Sequence, residues 1–152
     1  MKLTIDGKEC AARQGETLLA VAQRNVSEYG LADRINLIRS DLFANLPEKN
    51  YDVIISNPPY VTASAMDALP TEYRHEPRLA LAGGEDGLDA VRVLVREAPR
   101  FLNHGGTLAV EVGHNRAAVE AAFPRLPLVW LATAGLADGV FVVKREDLVA
   151  GR

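Results

Sequence analysis

Asp52-Val53-Ile54-Ile55-Ser56-Asn57-Pro58-Pro59-Tyr60 is the stretch whose reading decides the fold. Val53-Ile54-Ile55 is a continuous apolar run, the pattern of a strand buried on both faces of a sheet. Asn57-Pro58-Pro59 ends it, because proline has no N–H for a ladder and pushes the preceding residue out of helical backbone. A buried strand that stops in polar and proline residues puts them beyond the carboxyl end of a sheet. Open α/β folds hold their ligands there.

Other elements fall into place on either side. Lys2–Asp6 alternates, Asp6-Gly7 is a hairpin turn, and Lys8–Arg13 returns. Glu16-Thr17 opens a helical pattern through Leu18, Leu19, Val21, Ala22 and Val26 that runs to about Gly30. Ile35–Arg39 reads as a short strand, and residues 61–85 as loop-rich, with Pro70, Pro77 and Gly83-Gly84 as breakers. Asp86 is placed to cap a helix whose apolar stripe is Leu88, Val91, Leu94, Val95 and Ala98, and Pro99 kinks or ends it. Thr107–Val112 reads as a second buried strand and Arg116–Ala122 as a helix. Leu128–Thr133 and Val140–Lys144 then form a strand pair joined by the turn at 134–139. Strands alternating with helices and closing in a strand pair predict an open α/β sheet.

The totals limit the classes of function. With 152 residues the chain fits one domain, and 48% hydrophobic with 24% charged residues is the balance of a globular protein. A net charge of −3 provides no general attraction to nucleic acid or to an anionic membrane. The single cysteine, Cys10, excludes an intrachain disulfide and a four-thiolate cluster. No apolar stretch approaches the ~20 residues of a membrane span, and the start lacks a signal-peptide core, so a cytoplasmic location is expected. His75, His104 and His114 lie apart in turn regions without metal-ligand spacing, so no metal site is expected.

The chemistry legible in Asn57-Pro58-Pro59-Tyr60 is that of an amide or amine clamp. The Asn57 carboxamide oxygen accepts one hydrogen of a substrate NH₂ group, and a carbonyl of the stiff Pro58-Pro59 segment accepts the other. Tyr60 offers a flat face for a planar amide or base. With both hydrogens held, the nitrogen lone pair points at one place, where a sulfonium methyl could sit. Positioning of this kind accounts for up to ~7–11 kcal/mol of a barrier in ideal cases. A strand-ending turn or a proline-rich docking motif is the plainer reading of the same residues, weakened by their place after a buried strand.

From about Leu19 onward the sequence resembles the protein-glutamine methyltransferases, a class I S-adenosylmethionine-dependent family with a Rossmann-like sheet. Besides Asn57–Tyr60 the resemblance rests on Ser40-Asp41-Leu42-Phe43, Glu72–Pro77, Ala80–Leu88 and Glu111-Val112-Gly113. Glu72–Pro77, Pro127–Trp130 and Asp138–Phe141 look most like the branch that modifies the third protein of the large ribosomal subunit, with the release-factor-modifying branch next. The resemblance implies that Asn57, Pro58, Pro59 and Tyr60 bind the target glutamine, with Asn57, Pro58 and Tyr60 acting in catalysis. It also implies that Asp41, Leu42 and Asn57 lie along the cofactor. As ordinary structure, Asp41 would be a solvated turn residue and Leu42 and Phe43 core. Glu76 and Glu111 read as structural carboxylates, and Trp130 as sheet-face packing.

The family's glycine-rich cofactor turn and its ribose-binding acidic residue have no counterpart before Leu19, where Gly7 and Gly15 are isolated. Residues 1–17 instead resemble the opening hairpin of a ferredoxin-like module, without the cysteines its cluster needs. The expected organisation is therefore a foreign or reshaped hairpin segment at 1–17 and a methyltransferase domain at 18–152 whose sheet misses its first strands. The bared edge would be covered by the hairpin or by a second copy of the chain. Two other readings stay open: a non-catalytic remnant or interaction module, and an amino methyltransferase acting on a nucleic-acid base. The acidic charge counts against the second.

Overall fold

The computed structural model describes residues 2–5, 8–11, 17–47, 49–66, 77–133 and 136–151. They fall into two compact units, Met1–Leu46 and Pro47–Arg152.

In the first unit β1 (Lys2–Ile5) and β2 (Lys8–Ala11) pair antiparallel, with Leu3 opposite Cys10. The expected turn at Asp6-Gly7 lies outside the described residues. α1 (Leu18–Glu28) begins where Thr17 leaves extended backbone and its hydroxyl accepts from the Ala20 N–H at 3.2 Å. It ends on Gly30 at φ 63, with Gly30 N–H bonded to Ser27 C=O and Leu31 N–H to Val26 C=O, the double bond of a Schellman motif. Ile35–Arg39, expected as a strand, belongs to no regular element. The Ile35 N–H turns back onto Leu31 C=O at 2.9 Å instead. A β-prone run forms a strand only where a neighbouring strand takes up its N–H and C=O groups.

The second unit is built on a four-stranded sheet of order β3-β4-β6-β5. β3 spans Tyr51–Ser56, β4 Leu102–Glu111, β5 Val129–Thr133 and β6 Leu136–Lys144. β3 and β4 run parallel, with Ile54 beside Leu108 and Ser56 beside Val110, whereas β4–β6 and β5–β6 are antiparallel. The mixed α/β architecture and the closing strand pair agree with the sequence pattern. Among the described residues between β3 and β4 are α2 (Ala63–Met66), α3 (Arg78–Leu81), α4 (Asp89–Glu97) and a 3-10 turn (Ala98–Arg100). α5 (Arg116–Ala122) follows β4, and α6 (Arg145–Ala150), not foreseen in the sequence, closes the chain.

The core lies between the sheet and its helices. Val91 and Leu94 of α4, Val119 of α5 and Leu148 of α6 are buried with Leu108 and Phe141 of the sheet. Each such side chain contributes about 1.5–3 kcal/mol on leaving water. Pro99 ends α4 as expected, and the chain turns through Ala98–Arg100 into a β4 that starts at Leu102, well before Thr107. Asp86 does not cap α4, whose first flanking residue is Leu88 and carries no side-chain cap. Asp86 accepts from the Leu88 N–H at 3.1 Å and pairs with Arg92.

β3 is not buried on both faces. It is an edge strand whose only described partner is β4, and Val53 is 55% and Ile55 81% exposed. The alternation sends Ile54 and Ser56 toward one face and Val53 and Ile55 toward the other, where no described neighbour covers them. Among the described residues, no helix is long and apolar enough to cross a membrane.

Candidate functional site at the carboxyl end of β3

Because β3 and β4 are parallel neighbours, their carboxyl ends meet, and Asn57–Tyr60 stands beside Val112-Gly113. Pro58 is buried, Pro59 and Tyr60 are half-buried, and Asn57 is exposed. The segment after Tyr60 is tied to the loop at 81–84 by three backbone bonds. Val61 N–H donates to Leu81 C=O at 2.9 Å, Gly83 N–H to Val61 C=O at 2.8 Å, and Ala63 N–H to Gly84 C=O at 2.9 Å. This brings Gly83 so close that a Cβ would lie 2.8 Å from both Pro59 O and Tyr60 Cα. Only a glycine permits that approach.

The backbone of Tyr60 is fixed from a second direction. Asn115, at the mouth of α5, donates its Nδ2–H to the Tyr60 carbonyl at 2.7 Å across 55 residues of sequence. Gly87, at φ 78, passes so near that a Cβ would come within 2.5 Å of that same carbonyl oxygen. The Tyr60 ring rests on Gly113, at φ 55, where β4 has just ended. Behind Gly113, Val112 N–H donates to Gly139 C=O at 2.7 Å and joins this end of β4 to β6.

The acceptors that remain define what the site can hold. The Tyr60 carbonyl is occupied by Asn115. Among the described residues, nothing bonds the Pro58 carbonyl, the Pro59 carbonyl or the Asn57 carboxamide. Asn57 presents an amide with both donor and acceptor capacity, and the prolines present acceptors alone. The nearby loop is braced by Asp86, whose carboxylate is held at a pKa of about 2, chiefly by its hydrogen bond with Arg92 and also by the Leu88 N–H.

Asp41 and Leu42 lie in the first unit, in a tight turn. Asn45 N–H bonds the Ser40 hydroxyl at 2.9 Å, Asn45 Nδ2–H bonds Arg39 C=O at 3.1 Å, and Ala44 N–H bonds Asp41 C=O at 2.9 Å. Leu42 has φ 46, the one described non-glycine residue at positive φ, and an unusual state for a bulky side chain. Asp41 is exposed and Leu42 half-buried.

Glu76 and His75 fall outside the described residues, as does most of Glu72–Pro77. Glu111 is half-buried at the end of β4, opposite Val140. His104 is exposed 3.3 Å from Glu146, and His114 is exposed. Trp130 packs edge-to-face on Phe141 at 5.5 Å with the Arg116 guanidinium 4.9 Å over its ring, the sheet-face role read from the sequence. Reading the sequence missed Asn115. Its only local signal was a polar residue before a helix, which ordinarily means a cap.

Residues 12–72 match the model of the methyltransferase small domain. The ribosomal protein uL3 glutamine methyltransferase of Bordetella pertussis is 55% identical over 86% of this chain and 44% of its own length. That of Neisseria gonorrhoeae is 54% identical over 86% of this chain and 44% of its own. The enzyme of that name from Burkholderia pseudomallei is 52% identical over 87% and 45%. The chain thus spans less than half the length of these curated relatives. With an Asn-Pro-Pro-Tyr stretch at a strand end of an α/β sheet, the chain is similar to these glutamine methyltransferases along most of its own length.

Proposed function

We propose that Asn57–Tyr60 is the target-amide clamp of an S-adenosylmethionine-dependent methyltransferase that modifies a glutamine side chain of ribosomal protein uL3. One observation carries the reading. At the carboxyl end of β3, no described residue bonds Asn57 or the Pro58 carbonyl, while the nearby Tyr60 carbonyl is tied down by Asn115. The target amide donates one N–H to the Asn57 carboxamide oxygen and the other to the Pro58 carbonyl, with Pro59 stiffening the segment. Tyr60 supplies the face on which the planar amide lies. Holding both hydrogens turns the nitrogen lone pair toward one point, which is the positioning that methyl transfer requires.

S-adenosylmethionine, when bound, supplies an electrophilic methyl group on sulfur. The residues present fit part of it. The Asp41 carboxylate matches an adenine amine as acceptor, and Leu42, in its left-handed turn, matches the ring as an apolar neighbour. No glycine-rich turn for the rest of the cofactor occurs before Leu19.

The relatives' printed name favours uL3 over a release factor as the target protein. The net charge of −3 favours a protein over a nucleic-acid base. A protein substrate of this kind fits a cytoplasmic location. In this reading residues 1–17 form a segment apart from the methyltransferase portion at 18–152, and a second copy of the chain covers the open edge of β3.

Calorimetric titration with S-adenosylmethionine, followed by transfer to uL3, tests the reading. Saturable binding weakened in Asn57→Ala, with methyl transfer lost in that variant, is the expected result. No binding at millimolar cofactor and no transfer would reduce the chain to a non-catalytic member of the family.

A further inference from the structure

We infer that Asn115 is a positioning residue for the amide clamp, holding the Tyr60 backbone so that the Pro58 carbonyl stays in place beside Asn57 to meet the target. This inference rests on the clamp reading above. Asn115 flanks the start of α5, where an asparagine side chain ordinarily accepts from the backbone N–H groups of the helix's first turn. It makes no such cap. Its carboxamide instead crosses to the Tyr60 carbonyl at 2.7 Å, in a partly buried setting. The helix start gives up a favourable cap, and the residue gains a bond to the strand-end site.

The surroundings are shaped to allow that bond. Gly87 leaves room for the Asn115 amide, since a Cβ there would stand 2.3 Å from Nδ2. Gly83 leaves room for the Pro59–Tyr60 backbone on the other side. Three chain segments, at 58–60, 83–87 and 113–115, therefore converge on one carbonyl group. Without the Asn115 donor, the Tyr60 carbonyl is a half-buried acceptor in need of a partner, and it would turn to find one. With only the Val61 N–H bond to Leu81 left to hold it, the Tyr60 end of the segment loosens, and the Pro58 carbonyl and the Tyr60 ring lose the fixed relation that the target amide needs.

Asn115→Ser separates positioning from capping. Serine is a good helix cap but is too short to reach Tyr60, so it restores the local helix role and deletes the long-range bond. Asn115→Asp keeps the size and removes the donor. Binding of a peptide with a central glutamine, followed by the NMR shifts of the Asn57 side-chain amide and Gly113, reads the clamp directly. Melting temperature reports the fold. The expected result is a melting temperature for Asn115→Ser at or near wild type, with peptide binding weakened about tenfold in both variants. In the transfer assay kcat falls more than KM rises. Wild-type binding and kcat in Asn115→Ser overturn the inference and leave the clamp reading intact. A wild-type chain in which neither the Asn57 nor the Gly113 resonances respond to the peptide overturns the clamp reading and this inference with it.

Discussion

The Tyr60 ring lies directly on Gly113, so that a Cβ added there would stand 2.6 Å from the ring's Cε2 atom. The contact joins the residue that follows the two prolines after β3 to a glycine just past the end of β4. It exists only because the two strands are parallel neighbours with matched carboxyl ends. Gly113 also holds φ 55, so a side chain meets strain in the backbone as well as a clash with the ring. Gly113→Ala is expected to lower stability by about 1–3 kcal/mol in urea denaturation. It should also shift the ring resonances of Tyr60. An unchanged midpoint with unchanged Tyr60 signals would contradict the packing described.

Leu42 holds its left-handed backbone at φ 46 without being a glycine. That conformation costs about 1–2 kcal/mol for an ordinary residue, and glycine's extra freedom when unfolded costs about 0.5–1 kcal/mol. Leu42→Gly is therefore expected to change stability by no more than about 1 kcal/mol. Leu42→Val, with a branched Cβ in the same turn, should destabilise. If Leu42 packs on the adenine, Leu42→Gly binds S-adenosylmethionine more weakly despite its unimpaired fold. Equal affinity in calorimetry would remove Leu42 from the cofactor residues.

Asp86 makes a pH-dependent contribution whose sign follows from its partner. Arg92 lowers the carboxyl from its ordinary 3.8 to about 2 in the folded chain. The stability from this pair is fully present above the unfolded value and is lost as pH falls through the folded one. Wild type and Asp86→Asn should differ in melting temperature by a small, constant amount at neutral pH. The two should converge between about pH 4 and pH 2. A gap that persists at the acid end would show that Asp86 acts through shape rather than charge.

Ile55 is 81% exposed on the open edge strand. Ile55→Lys places a charge on that edge at little cost to the fold, within about 0.5 kcal/mol for an exposed position. If a second copy covers β3, wild type sediments as a dimer and Ile55→Lys as a monomer. A monomeric wild type across the micromolar range would leave the edge for another partner.

The parts of the molecule legible in the sequence are those set by local chemistry. Thr17 before an apolar stripe starts α1, Gly30 ends it, and Pro99 ends α4. Arg116–Ala122 is read correctly from its pattern, and the closing strand pair from its apolar runs, although β6 begins at Leu136 inside the stretch read as a turn at 134–139. Asn57-Pro58-Pro59 stops β3 because proline's missing N–H acts wherever it stands.

Tertiary structure decided the rest. Val53-Ile54-Ile55 reads as buried on both faces, yet burial depends on what lies beside and above a strand, and β3 has a described neighbour on one side only. Ile35–Arg39 has strand propensity, but a ladder needs a second strand, and its backbone is left outside any sheet. Asp86 looks like a helix cap from its spacing, whereas its real partner is the Arg92 guanidinium that the start of α4 brings alongside. Asn115 shows the limit most clearly. Its bond to Tyr60 spans 55 residues, and no local pattern announces it. The sequence by itself determined which residue types stand at the strand end and therefore which chemistry is available. The tertiary fold, which sets Asn115 beside the end of β3, decided that the Tyr60 carbonyl is tied down while no described residue bonds the Pro58 carbonyl. Hydrogen bonds between distant segments are set by how the sheet brings them together.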